Sequence, residues 1–217
     1  MRSRFDEQLM LLNRKITEMG AECESIIALS ANALFEGDVK KAASAEELGH
    51  VIDRMERDIE NVCLKLLLQQ QPVAKDLRVI SAALKMITDM ERIGDQAEDI
   101  AEISVFLKGR TGEECRGIKL MAEAVIKMVT DSVDAYVRRD VELSRAVCDA
   151  DDHVDELFFE VKKTLIGMIS KDPEGGEYAL DLLMIAKYLE RIGDHAVNIA
   201  EWVEFSVTGI HRKEELS

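Results

Sequence analysis

Five residues occur twice in this chain. Glu91-Arg92-Ile93-Gly94-Asp95 returns letter for letter as Glu190-Arg191-Ile192-Gly193-Asp194, an offset of 190 − 91 = 99 residues. The surroundings repeat too. Ile100-Ala101-Glu102 matches Ile199-Ala200-Glu201 at that offset. Asp38-Val39 matches Asp140-Val141, and Ile52-Asp53 matches Val154-Asp155, at an offset of 155 − 53 = 102. The three-residue difference places an insertion in a connection, where length changes are tolerated. One supersecondary unit used twice restricts the chain to folds with two like halves.

Each unit reads as three helices. Apolar residues recur at threes and fours over about 3–35, where Phe5, Leu9, Leu12, Ile16, Met19, Cys23, Ile26 and Ile27 lie. Gly37-Asp38 stops that helix with a left-handed C-cap and an N-cap for the next. The second helix covers about 39–70, and Pro72 breaks the pattern because it lacks an N–H. The third covers about 73–108 and carries the first ERIGD. After a break at Gly109-Arg110-Thr111-Gly112, helices over about 114–138, 141–170 and 178–207 complete the set. Ala, Leu, Ile, Met, Glu and Lys dominate, aromatics are only 5%, and there are 2 prolines, so helix is favoured over sheet. The expected fold is all-α: two tandem three-helix bundles of long antiparallel helices, divided at 1–109 and 110–217. Packing of the bundles side by side or end to end is left open by the pattern.

Charge narrows the partners. The formal net charge of −15 argues against nucleic acid and anionic membranes and favours cations and basic protein surfaces. No apolar run reaches the roughly 18 residues of a membrane span. The N-terminal Met-Arg-Ser-Arg-Phe-Asp-Glu leads into no apolar signal segment. Cys23, Cys63, Cys115 and Cys148 form no CxxC pair and read as reduced thiols, the usual state in the cytoplasm.

A helix advances about 100° per residue, so Glu91, Asp95, Glu98 and Glu102 share one strip with Ile80, Leu84 and Ile87. Leu183, Glu190, Asp194 and Glu201 repeat it. Lys85, Arg92, Gln96 and Asp99 are expected on the solvated side, as are Arg191 and His195. Met10, Met19, Met86, Met90 and Met184 read as core filler. Carboxylates at i and i+4 repel mildly unless a partner joins them, and burying one unpaired costs far more. Gly94 and Gly193 each cost about 1 kcal/mol against Ala in mid-helix, which points to close approach there. A hard cation is the partner that suits two in-register acidic pairs. The competing reading is a solvated acidic pair with its adjacent arginine. No Glu-x-x-His of a ferritin-type site, no phosphate loop and no nucleophile–base set accompanies ERIGD. The metal is expected on an outer bundle face, and the apolar stripes are expected to hold the fold without it.

The stretch Gln71-Pro-Val-Ala-Lys-Asp-Leu-Arg78, then Leu84 and Asp89-Met-Glu-Arg-Ile-Gly-Asp95, resembles the first repeat of the PhoU family; the second ERIGD with Asn198-Ile199-Ala200-Glu201 resembles the second. The resemblance covers about residues 5–208. It implies two tandem three-helix bundles in a cytoplasmic negative regulator of phosphate uptake and phosphate-starvation signalling. Such a protein is an adaptor between a phosphate ABC transporter ATPase and a phosphate-sensing histidine kinase, commonly a homodimer, with no enzymatic turnover. It further implies metal ions, iron, zinc, manganese or magnesium, on Glu91 and Asp95 and on Glu190 and Asp194. Asp151 fits a further family ligand position on the second helix of its repeat. Gly49 occupies that position in the first, leaving Asp53 or Glu56 to complete the site. Asp99, Asn198, Glu102 and Glu201 are subsidiary candidates. Against the adaptor stand a carboxylate-bridged metalloenzyme such as a phosphatase, and a purely structural helical interaction protein.

Overall fold

The apolar spacing of threes and fours winds the chain into six long helices. A computed structural model describes residues 2–69, 73–107, 109 and 112–210. Helix α1 spans Arg2–Glu36, α2 Val39–Gln69, α3 Ala74–Leu107, α4 Arg116–Arg138, α5 Val141–Lys171 and α6 Gly176–Thr208. Single 3₁₀ turns at Glu113–Cys115 and Pro173–Gly175 lead into α4 and α6, and there is no strand among the described residues. The expected break at Pro72 lies outside them.

The repeated turns show how the two units stay in register. Gly37 ends α1 at φ +65°, and Asp38 Oδ1 accepts from Lys40 N at 2.9 Å. In the second unit Arg139 holds the same left-handed position at φ +55°, and Asp140 Oδ1 accepts from Leu143 N at 3.0 Å. The arginine pays about 1–2 kcal/mol for a conformation glycine adopts freely. Both turns are short, so sequence neighbours run antiparallel.

Helices α1, α2 and α3 pack on one another, as do α4, α5 and α6. The two bundles stand side by side: α3 lies along α6, and α1 along α4. These four helices form a central layer, flanked by α2 and α5. Inside, Leu12, Ile16, Met19, Ile26, Ile52, Ile59, Ile80 and Met86 are fully buried. Each such side chain contributes roughly 1.5–3 kcal/mol on burial. Ser30 Oγ ties α1 to α3 by donating to Ala97 O at 2.6 Å.

The side-by-side seam corrects three expectations. Asp99, expected on the solvated side, is half-buried there and accepts from the Tyr188 hydroxyl. Gln96 is buried, at 7% exposure, and His195 is half-buried with Nδ1 2.9 Å from Asp89 Oδ1. An isolated three-helix bundle would leave that face wet; here α6 covers α3. Asn198 Nδ2 also donates to Asp89 Oδ1, at 3.1 Å. Across the seam between α1 and α4, Tyr136 Oη donates to Asn13 Oδ1 at 3.0 Å, and Gly20 faces Val133. Two methionines depart from the core reading as well: Met10 and Met184 are exposed, while Met19, Met86 and Met90 are buried. The four cysteines form no disulfide with one another. Burial pushes the Cys63 thiol up to about 12.

Candidate metal centres

Gly94 lets α3 lie close to α2, whereas the close approach expected at Gly193 is not found, since a side chain there would meet only ordinary contacts. A Cβ on Gly94 would stand 3.3 Å from Ile52 on α2, and one on Gly193 would stand 3.6 Å from Val154 on α5. Glu91 and Asp95 flank Gly94, so this approach brings them to the groove between α2 and α3. There they meet Asp53. Asp53, Glu91 and Asp95 each offer an oxygen, all within 4.8 Å of one another. Two oxygens on one hard cation, each about 2.0–2.6 Å from it, stand at most about 5 Å apart. The donor set is all oxygen and half-exposed at the groove rim. Both features fit such a cation.

The field in the groove matches. Burial raises the Glu91 carboxyl above its ordinary value, and the negative charges of Asp95, Glu56 and Asp53 add to that, against the opposing Arg92. Arg92 is the local counter-charge, with Nε 3.4 Å from Glu91 and Nη1 3.1 Å from Asp95. Glu56 sits one turn beyond Asp53, 3.4 Å from Thr88 Oγ1, and burial raises its carboxyl too. Glu98 lies at the other end of the groove; burial, then Asp95, Asp53 and Glu46, raise its carboxyl while His50 lowers it.

The second groove, between α5 and α6, carries Asp151, Asp155, Glu190 and Asp194, which influence one another's charge, but no three of them lie within the 4.8 Å spacing of the first group. Burial pushes Asp151 up to about 6, followed by the charges of Asp194, Asp155, Glu190 and Asp152. Asp194 is raised by burial and by Glu190. The tethered cation differs from that of the first groove. Lys187 engages Glu190 while its Nζ lies 5.5 Å from the centre of the Phe158 ring.

The subsidiary candidates divide. Asp99 and Asn198 turn toward the seam, where Asp99 accepts from the Tyr188 hydroxyl and Asn198 donates to Asp89. Glu102 is exposed, beyond Glu98 along the first groove, where Val39, Ala42, Ala43 and Phe106 help line a hollow of about 450 Å³. Glu201 is half-buried on α6. Asp155 carries no motif of its own that marks it as a ligand. The signal was present: the 102-residue offset aligns it with Asp53.

The architecture and its grooves define a class of protein: a tandem duplication of a three-helix unit, each with carboxylates where its second and third helices meet. The PhoU domain model matches twice, at residues 16–104 and 118–203. A Clostridium acetobutylicum protein described as a phosphate-specific transport system accessory protein PhoU homolog is 36% identical over 207 residues, 94% of each chain. A Pseudomonas aeruginosa homolog of the same description is 34% identical over 94% of this chain and 86% of its own. The crystal structure of PhoU from Pseudomonas aeruginosa superposes with a TM-score of 0.89 at 34% identity, covering 95% of this chain and 100% of that one. The phosphate transport system regulatory protein PhoU from Streptococcus pneumoniae gives 0.87 at 25% identity, covering 95% and 98%. The chain belongs to the PhoU family.

Proposed function

We propose that this protein is a non-catalytic accessory regulator of phosphate uptake. It acts in the cytoplasm as a metal-binding adaptor, commonly as a homodimer, between the ATPase subunit of a phosphate ABC transporter and a phosphate-sensing histidine kinase, and it restrains both uptake and the starvation response. The observation that carries this reading is the near full-length match to relatives described as accessory proteins of phosphate-specific transport, in a chain whose carboxylate grooves both remain acidic. Fold alone does not give function, so the reading rests on the relatives together with those grooves. The net charge of −15 suits basic surfaces on both partners and speeds encounter with them. No helix among the described residues is long and apolar enough to cross a membrane, so the membrane transporter would be met by docking.

Glu91, Asp95 and Asp53 would hold metal in the first groove; Glu190, Asp194 and Asp151 would do so in the second. The ions would supply positive charge that joins the second and third helices of each unit. The test is loss of the protein in its own host under phosphate-replete growth. Uptake and starvation-gene expression rise if the reading holds, and the ATPase subunit and the kinase co-purify with the tagged chain. Unchanged uptake, with neither partner retained, would reject it.

A further inference from the structure

Asp53, Glu91 and Asp95 of the first groove match Asp155, Glu190 and Asp194 of the second, but a further carboxylate stands on a different helix in each. In the second unit it is Asp151, on α5. Its register equivalent on α2 is Gly49, and the register equivalent of Val197 on α6 is Glu98 on α3. The glycine and the glutamate are interlocked. A Cβ built on Gly49 would lie 1.4 Å from Glu98 Oε1 and 2.3 Å from its Cδ. The Glu98 carboxyl therefore occupies the volume that a side chain at 49 would fill, and only glycine leaves that volume free. Gly49 is buried beneath it. Neither substitution has a reason alone: glycine in mid-helix is unfavourable, and a glutamate folded over a neighbouring helix gives up its freedom in water. Together they set a carboxylate of α3 against α2 at position 49, next to the group of Asp53, Glu91 and Asp95 and outside its 4.8 Å spacing. Asp151 makes the matching approach in the other groove, with Oδ1 3.4 Å from a Cβ on Gly193.

We propose that Glu98 is a metal ligand of the first groove, taking from α3 the place that Asp151 takes from α5, and that Gly49 is the cradle which admits it. The proposal rests on the reading of the grooves as metal sites. It makes the first site complete, with Asp53, Glu91, Asp95 and Glu98 set against Asp155, Glu190, Asp194 and Asp151.

The test is Mn²⁺ titration of the full-length, metal-stripped chain by calorimetry and electron paramagnetic resonance, with circular dichroism melts as a fold control. Each titration is run on an Asp194→Ala background, so that first-groove binding is seen alone. Glu98→Gln is expected to weaken first-groove Mn²⁺ roughly tenfold or more, since even supporting residues around a metal carry that much. Gly49→Ala keeps Glu98 but displaces it. It is expected to weaken binding similarly while leaving the metal-free melt unchanged or raised. Gly49→Asp/Glu98→Val, which copies the second groove, is expected to restore binding to within about threefold, a small part of that loss. First-groove affinity unchanged in Glu98→Gln, while Asp95→Ala abolishes it, would overturn the ligand assignment and leave the metal reading standing. No Mn²⁺ bound by the parent protein, or binding unaffected by Asp95→Ala, would overturn the metal reading and this assignment with it.

Discussion

Neutralising one carboxylate of the second groove should strengthen the metal-free protein while weakening its hold on metal. Asp151 is the position to change. Burial and four neighbouring carboxylates move its ionisation from an ordinary 3.8 to about 6. A full shift of that size at 1.36 kcal/mol per unit would represent about 3 kcal/mol of strain in the ionised folded state. The side chain is only half-buried, so solvent and salt screen most of it, and about 1 kcal/mol is the appropriate figure. Because the folded-state value is the raised one, the native protein holds the proton more tightly than the unfolded chain. Stability from this group is therefore gained as pH falls from about 7 toward 4 and lost as pH rises through about 6. Asp151→Asn removes the strain at all pH. In EDTA at pH 7.5 the variant should melt roughly 2–4 °C above the parent, and the gap should close near pH 4. Excess metal should reverse the order, since the parent gains a ligand-bound state that the variant binds less well. The assay is circular dichroism at 222 nm against temperature, with and without metal. A variant no more stable than its parent in EDTA at pH 7.5 would refute the reasoning.

Three further substitutions test the packing. Gly20→Ala places a Cβ 2.8 Å from Val133 Cγ2 at the seam between α1 and α4, and a β-branched neighbour yields poorly, so a loss of about 1–3 kcal/mol is expected in urea unfolding. Gly193→Ala meets only ordinary contacts of 3.4–3.7 Å, so its better helix propensity should give a gain of up to about 1 kcal/mol in the same assay; equal effects from the two would undo the packing argument. Ser30→Ala removes a donor to Ala97 O at a fully buried position and should cost about 1–3 kcal/mol by the same measurement.

Much of this was legible in the sequence because it depends on spacing within a helix. Periodicities of three and four, the turns at Gly37-Asp38 and Arg139-Asp140, and the strip shared by Glu91 and Asp95 are local properties. What stayed hidden depends on a second helix or a second bundle. Gln96 and His195 read as solvated because their helical angles turn them away from the apolar strip; they are covered because α6 lies on α3, and His195 is satisfied there by Asp89. Polar pairs of that kind erase the apolar signature by which a seam is recognised. Met10 and Met184 failed in the opposite sense: an apolar residue at a permitted angle carries no sign of whether a helix will cover it. Glu98 lay on the acidic strip from the start, yet its relation to Gly49 appears only when α2 and α3 are set in antiparallel register. The chain's own second copy supplies that register, since Asp151 and Val197 stand where Gly49 and Glu98 do.

The most direct test of the central claim is the metal content of the full-length protein by elemental mass spectrometry, after purification and reconstitution, beside the Asp95→Ala/Asp194→Ala variant. The account predicts stoichiometric metal in the parent, its loss in the variant, and unchanged helical circular dichroism in both. A parent that takes up no metal, or a variant that keeps it, would contradict the assignment of the two grooves.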